Sequence, residues 1–203
     1  MCGVVAYSGP AGDRCVFQCL CFQSCVRGVH SFGIAWHDRQ GLHVHKGTDF
    51  AGVMAAVPQP LPCKIVFHNR YCTSGDWTDN TNNQPLLAHG GALAFNGTID
   101  MGTKEEMERR HGVRLELDND GELVLLDIAA GDPLRHIRDG KATFAGVFLG
   151  EDGRMFALRN ELRPLWLFRT ALGKFITSTS DIASRAKLDG SGAILKPFDI
   201  CTL

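Results

Sequence analysis

MCGVVAY, residues 1–7, opens the chain, and its reading decides the fold. Removal of Met1 would leave Cys2 with a thiol and a free α-amino group on one residue, a nucleophile that carries its own base. Initiator methionines are normally removed when a small residue follows, and an α-amino group has an unperturbed pKa of about 7.7 to 8.0, so a usable fraction is neutral near neutral pH. Behind Cys2, GVVAY is a Val-rich apolar run that reads as a buried strand and would hold the nucleophile on a rigid element. The alternative is chance, since the chain has eight cysteines and one of them must lie nearest the start.

The rest of the chain bounds what such a nucleophile can serve. At 203 residues it reads as one domain, residues 1–203, with Met1 expected to be removed. Lys plus Arg number 21 against 22 Asp plus Glu, and no long run of one sign appears, which argues against nucleic acid or an anionic membrane as the main partner. There is neither a run of about 18 apolar residues nor a basic segment leading into an apolar one, so a cytoplasmic protein with reduced thiols is expected.

Outward from the first strand, residues 13–27 carry Val16, Leu20 and four cysteines at helical spacing, with Asp13 as a cap and Gly28 as a stop. SFGIAWH and LHVHKG flank a turn and predict a hairpin, and CKIVFHN predicts another strand. Residues 70–91 are polar and aperiodic and read as a long loop of the functional or mobile kind. ALAF follows as a strand. TKEEMERRHG reads as a helix with a Thr103–Glu106 capping box and a Gly112 stop, and a second helix is expected from near Asp120 to Gly131. The last third predicts a meander of short strands: ATFAGVFLG, GRMFALRN, PLWLF, KFITS and GAILKPF.

Three sites add chemistry to Cys2, each with a plainer alternative. HNRYCTSGD places Arg70 at a strand end, where a guanidinium can clamp a carboxylate with help from the Thr73 or Ser74 hydroxyl, or can simply face solvent. AFNGTID ends a strand in Asn96-Gly97, whose side-chain amide and backbone N–H can share a developing oxyanion, or can form an ordinary turn. Asp120 in DNDGELVLL can bind an ammonium group or cap a helix.

Together these stretches resemble the class II glutamine amidotransferase domain of the N-terminal-nucleophile hydrolases. The likeness is carried by MCGVVAY, RGVHSFGIAW, RYCTSG, FNGTID and NDGELVLL, with echoes in LRNELRPLWL and in FITSTSDI, the latter matched to a Ser-rich strand. The resemblance implies an α+β fold, a four-layered αββα sandwich, with no cofactor and no metal. It implies a glutaminase in which Cys2 attacks the glutamine side-chain amide and its α-amino group moves the proton. Asn96 and Gly97 would then stabilise the oxyanion, Arg70 with Thr73 and Ser74 would hold the α-carboxylate, Asp120 the α-ammonium, and Arg27 would support the nucleophile.

Val29 and His30 depart from the polar pair usual after the family's Arg-Gly, and Ser74 departs from its usual His or Ala. Family enzymes commonly fuse this domain to a synthase, so a separate ammonia-accepting synthase or ATP-dependent ligase is the expected partner, and homo-oligomerisation stays open. Three rivals remain: a hydrolase of another γ-glutamyl amide, a degenerate non-catalytic subunit, and a metal-binding module built on Cys15, Cys19, Cys21 and Cys25. Against the metal module, one rigid helix cannot wrap all four thiols around one ion, and core packing of the cysteines is preferred. His43 and His45 would share a strand face, but no third ligand is identifiable.

Overall fold

The computed structural model describes residues 1–10, 12–72 and 77–203. Two antiparallel sheets pack face to face with helices on both outer sides, the αββα arrangement expected. The first sheet contains β1 (Gly3–Ser8), β2 (Ser31–Asp38), β3 (Gly41–Gly47), β4 (Lys64–Arg70), β9 (Trp166–Thr170), β10 (Gly173–Thr177) and β11 (Ser191–Ile194), in the order β11-β9-β10-β1-β4-β2-β3. The second contains β5 (Leu86–Ala88), β6 (Gly91–Thr98), β7 (Thr143–Gly150), β8 (Met155–Arg159) and β12 (Cys201–Thr202), in the order β12-β8-β7-β6-β5.

Strand alternation sorts the side chains into layers. In β1, Val4 and Ala6 enter the seam between the sheets with Ala35, Val66, Ala92, Ala94, Ala145 and Val147. Val5 and Tyr7 point the other way, onto α1 (Arg14–Ser24), α2 (Phe50–Ala55) and α5 (Ser180–Arg185). The seam is lined largely by Ala and Val, whereas the layer under these helices is aromatic: Tyr7, Phe17, Phe32, Phe67 and Phe175. On the far side, Leu93 and Phe95 of β6 pack with Val124 and Leu125 of α4 (Glu122–Ala129), and Met107 of α3 (Lys104–His111) contributes to a smaller cluster with Leu123.

Local chemistry sets several boundaries. The Asp13 carboxylate accepts from the N–H groups of Cys15 at 2.7 Å and Val16 at 3.2 Å, starting α1. Thr103 and Glu106 form both halves of a capping box, and Gly112 ends α3 in the left-handed conformation that favours glycine.

Four expectations are corrected. The late strands are not one meander: β7 and β8 pair in the second sheet while β9, β10 and β11 pair in the first, because their apolar faces complete different layers. The 70–91 connection contains β5. The Ser-rich stretch is strand only through Thr177, and Ser180–Arg185 is helical; α2 and β12 were also unforeseen. Of the clustered cysteines only Cys21 is in the core. Cys15 and Cys19 are exposed on the outer face of α1 and Cys25 is half-buried, so the four thiols do not converge. Among the described residues no group of three or more His, Cys, Asp or Glu side chains is placed to hold a metal ion.

Candidate active site

The same alternation that sends Val4 and Ala6 into the seam places Cys2 on that side, at the end where β1 meets β6. Asn96 shares its face with Ala92 and Ala94, so the two side chains meet at the mouth of the seam. The Cys2 backbone N–H donates to Asn96 Oδ1 at 3.1 Å. That bond fixes the amide orientation and leaves Asn96 Nδ2 as a buried donor with no hydrogen-bond partner among the described residues. Arg27 Nε donates to the Cys2 carbonyl at 2.8 Å, and Cys2 Sγ lies 3.8 Å from the Tyr71 carbonyl. Burial pushes the Cys2 thiol above the ordinary cysteine value. A backbone hydrogen bond with Tyr71, the N-terminal charge and the Arg70 and Arg27 guanidinium groups offset this in part.

Two glycines permit the approach. A Cβ on Gly3 would sit 2.1 Å from Ser24 Oγ and 2.2 Å from Asn69 Oδ1. Those two polar groups bond each other at 2.6 Å, and Asn69 Nδ2 donates to the carbonyls of Ser24 and Gly28, which locks the end of α1 onto β4 beside Cys2. A Cβ on Gly97 would lie 1.9 Å from the Thr143 carbonyl, so only glycine lets β6 follow β7 at this point.

From Cys2 a cleft of about 240 Å³ runs along the end of β6, lined by Arg70, Gly97, Asp100, Met101, Gly102 and Asp120 among others. Arg70 is buried and its Nη1 donates to Asn83 Oδ1 at 2.6 Å. Asp120 does not cap α4, whose N-cap is Gly121. Its Oδ2 accepts instead from the N–H groups of Ile99 at 2.5 Å and Asp100 at 3.1 Å. Burial pushes its carboxyl up, against the lowering effect of those N–H groups. Thr73 and Ser74 lie outside the described residues. The structure thus brings Cys2, Gly97, Arg70 and Asp120 to one cleft, with Asn96 hydrogen-bonded to the Cys2 N–H and Arg27 to the Cys2 carbonyl.

The sequence reading missed several groups at this end of the molecule. His68 on β4 is fully buried, and its Nε2 meets the Phe95 carbonyl at 3.2 Å, bridging the sheets one residue before Asn96. The Phe95 N–H is taken by Gln84 Oε1 at 2.6 Å. His30 accepts from the Cys72 N–H through Nδ1 at 2.9 Å and stacks on Tyr71 and Trp77. The polar run HNR closing an apolar strand was the visible signal for His68 and Asn69.

Over 98% of its length the chain is 27% identical to glutamine–fructose-6-phosphate aminotransferase [isomerizing] of Corynebacterium glutamicum, covering 40% of that protein. A 129-residue match is 30% identical to the Bacillus licheniformis enzyme of the same name, over 62% of the chain and 21% of the relative. The glutamine phosphoribosylpyrophosphate amidotransferase of B. subtilis superposes over 98% of the chain with a TM-score of 0.75 at 19% identity, covering 46% of that structure. The chain has the class II glutamine amidotransferase fold. A structure described as the allosteric regulatory enzyme of purine biosynthesis agrees, with a TM-score of 0.73 at 18% identity over 99% of the chain and 48% of its own length. The chain therefore spans less than half the length of the proteins it matches. No protein-family model matches it. Among the described residues no helix is long and apolar enough to cross a membrane.

Proposed function

We propose that the chain is a glutaminase that frees ammonia from the glutamine side chain for an amide- or amine-forming acceptor enzyme, a synthase or an ATP-dependent ligase, in the cytoplasm. The observation that carries this reading is the pairing of Cys2 N with Asn96 Oδ1 beside the unpartnered, buried Asn96 Nδ2. Once Met1 is removed, the same bond would hold the Cys2 α-amino group next to its own thiol. Because burial disfavours the thiolate, the thiol needs a base in place, and the α-amino group supplies it.

Glutamine lies with its α-carboxylate toward Arg70 and its α-ammonium toward Asp120, which brings the amide carbon to Cys2. The thiol proton passes to the α-amine as Sγ bonds to that carbon, and the carbonyl oxygen becomes an oxyanion held by Asn96 Nδ2 and the Gly97 N–H. The resulting ammonium returns its proton to the leaving nitrogen, and ammonia departs to leave a γ-glutamyl thioester. Water then adds with its proton going to the amine, and glutamate leaves as the thiol reforms. Thr73 and Ser74 complete the carboxylate end in this reading.

Intact-mass analysis of untagged protein, before and after 6-diazo-5-oxo-norleucine, tests the proposal. The expected result is loss of Met1 and a single adduct on Cys2 that excess glutamine prevents. Retained Met1, or no adduct, overturns it. An adduct that glutamine does not protect moves the substrate to another γ-glutamyl amide.

A further inference from the structure

One polar chain in the molecule has no part in the chemistry above. Asp127 is buried on α4, and its Oδ2 meets the backbone N–H of His136 at 2.9 Å and the ring Nδ1 at 2.7 Å. His136 Nε2 lies 3.1 Å from His111 Nδ1, and His111 Nε2 lies 2.8 Å from Asp100 Oδ2. Asp100 also accepts from the Gly102 N–H at 2.8 Å and from Arg110. The four side chains form one line from α4, through the short helical turn His136–Arg138 and the end of α3, to the loop after β6.

That line ends on the cleft. The backbone N–H groups of Ile99 and Asp100 are the donors to Asp120 Oδ2, while Asp100, Met101 and Gly102 themselves line the cavity. Whatever fixes the Asp100 side chain therefore fixes the two N–H groups that aim Asp120.

Proton counting defines the state of the pair. Each carboxylate faces an outer ring nitrogen, Nδ1 of His136 and Nε2 of His111, and each of these must carry a proton to donate. The two inner nitrogens then face each other as lone pairs unless a third proton lies between them. With it, the imidazole pair bears one positive charge between Asp127 and Asp100, and Arg110 supplies the second cation that balances the two carboxylates.

We propose that His111 and His136 are positioning residues for glutamine recognition: a proton-bridged imidazole pair, anchored on Asp127, braces Asp100 and thereby holds the Ile99–Gly102 loop that aims Asp120 at the substrate α-ammonium. The proposal rests on the glutaminase reading for its substrate, and on the side-chain geometry for the bridge.

Two measurements on the full chain test it. In histidine-labelled wild-type protein, ¹⁵N NMR should show scalar coupling between His136 Nε2 and His111 Nδ1 across a shared proton. Glutamine kinetics of His136→Leu, which cuts the bridge and leaves the His111–Asp100 contact, should show KM raised about fivefold, the equivalent of one hydrogen bond, with kcat within about twofold of wild type. His136→Gln, which can refill the gap with an amide, should recover part of that loss. Absence of the coupling in the wild type overturns the bridge even if the variants fail to fold. An active chain whose KM is unmoved by His136→Leu overturns the positioning role and leaves the glutaminase reading standing. A wild-type chain with no glutamine turnover and no glutamine-protected Cys2 overturns the glutaminase reading, and the positioning role with it.

Discussion

The two ends of the cleft are built by different means. At the end proposed for the nucleophile, Cys2 and Asn96 meet because two strands place them there: residue parity and sheet packing set the 3.1 Å contact, and glycines at 3 and 97 clear the space. At the end proposed for the α-ammonium, Asp120 and the loop after β6 are held by side-chain hydrogen bonds: Asp120 on two backbone N–H groups, and Asp100 on Arg110, His111 and, through it, His136 and Asp127. A strand-built corner is rigid by its ladder, whereas a side-chain-built wall is as firm as its polar links. Damage to the first should therefore appear in the chemical step and damage to the second in substrate binding.

The largest effect should come from Asn96→Ala. Loss of one oxyanion donor lowers kcat about 10²- to 10³-fold, and KM should stay near wild type; single-turnover formation of the acyl-enzyme measures it directly. A variant that instead keeps kcat and loses only KM would erase the distinction between the two ends. On the wall, Asp120→Asn removes the charge offered to the α-ammonium while keeping an acceptor for Ile99 and Asp100. Glutamine KM should rise about 10- to 100-fold, the range of a charge-assisted hydrogen bond, with kcat little changed. Because burial raises the Asp120 carboxyl, the wild type should also show glutamine binding weakening as pH falls through that raised value, and Asp120→Asn should lack this limb. An acid limb that survives the substitution would assign it to another group.

The same contrast explains what could be read from the sequence. GVVAY, CKIVFHN and ALAF announce strands by composition, and Asp13, Thr103 and Gly112 announce helix ends by local chemistry, so the strand-built corner was legible. Cys2, Asn96 and Gly97 sit at the ends of those elements. The sheet to which β9 or β7 belongs was not legible, because a short apolar strand carries no record of which layer it completes. Ser180–Arg185 has six residues, too few for a helical period to stand out from a Ser-rich strand end. The wall was unreadable for a related reason: Asp100, His111, Asp127 and His136 belong to four different segments, and nothing local to any one marks the others as its partners.

The smallest and most discriminating effect concerns acid. His68 sits at the strand-built end, where burial and the nearby Arg70 charge, against the Phe95 hydrogen bond, hold its imidazole down at about 3. Between that value and the ordinary one near 6.5, the unfolded chain binds a proton that the folded chain refuses, so stability falls as pH drops through this window. From about pH 6.5 to about pH 5 the loss is about 2 kcal/mol. Asp100 carries the same sign but in a lower window. Against the cost of burial, Arg110, His111 and the Gly102 N–H hold its carboxyl at about 2, so what it contributes persists until pH falls below the usual carboxylate range. Acid should therefore loosen the nucleophile corner before the wall. Urea unfolding from neutral pH to about pH 5 checks this in wild type and in His68→Gln, which keeps an amide donor for the Phe95 carbonyl and does not titrate. The wild type should lose stability across the window while His68→Gln stays nearly level, even if it starts lower. Equal losses in both would mean that the buried imidazole is not what makes the strand-built end sensitive to acid.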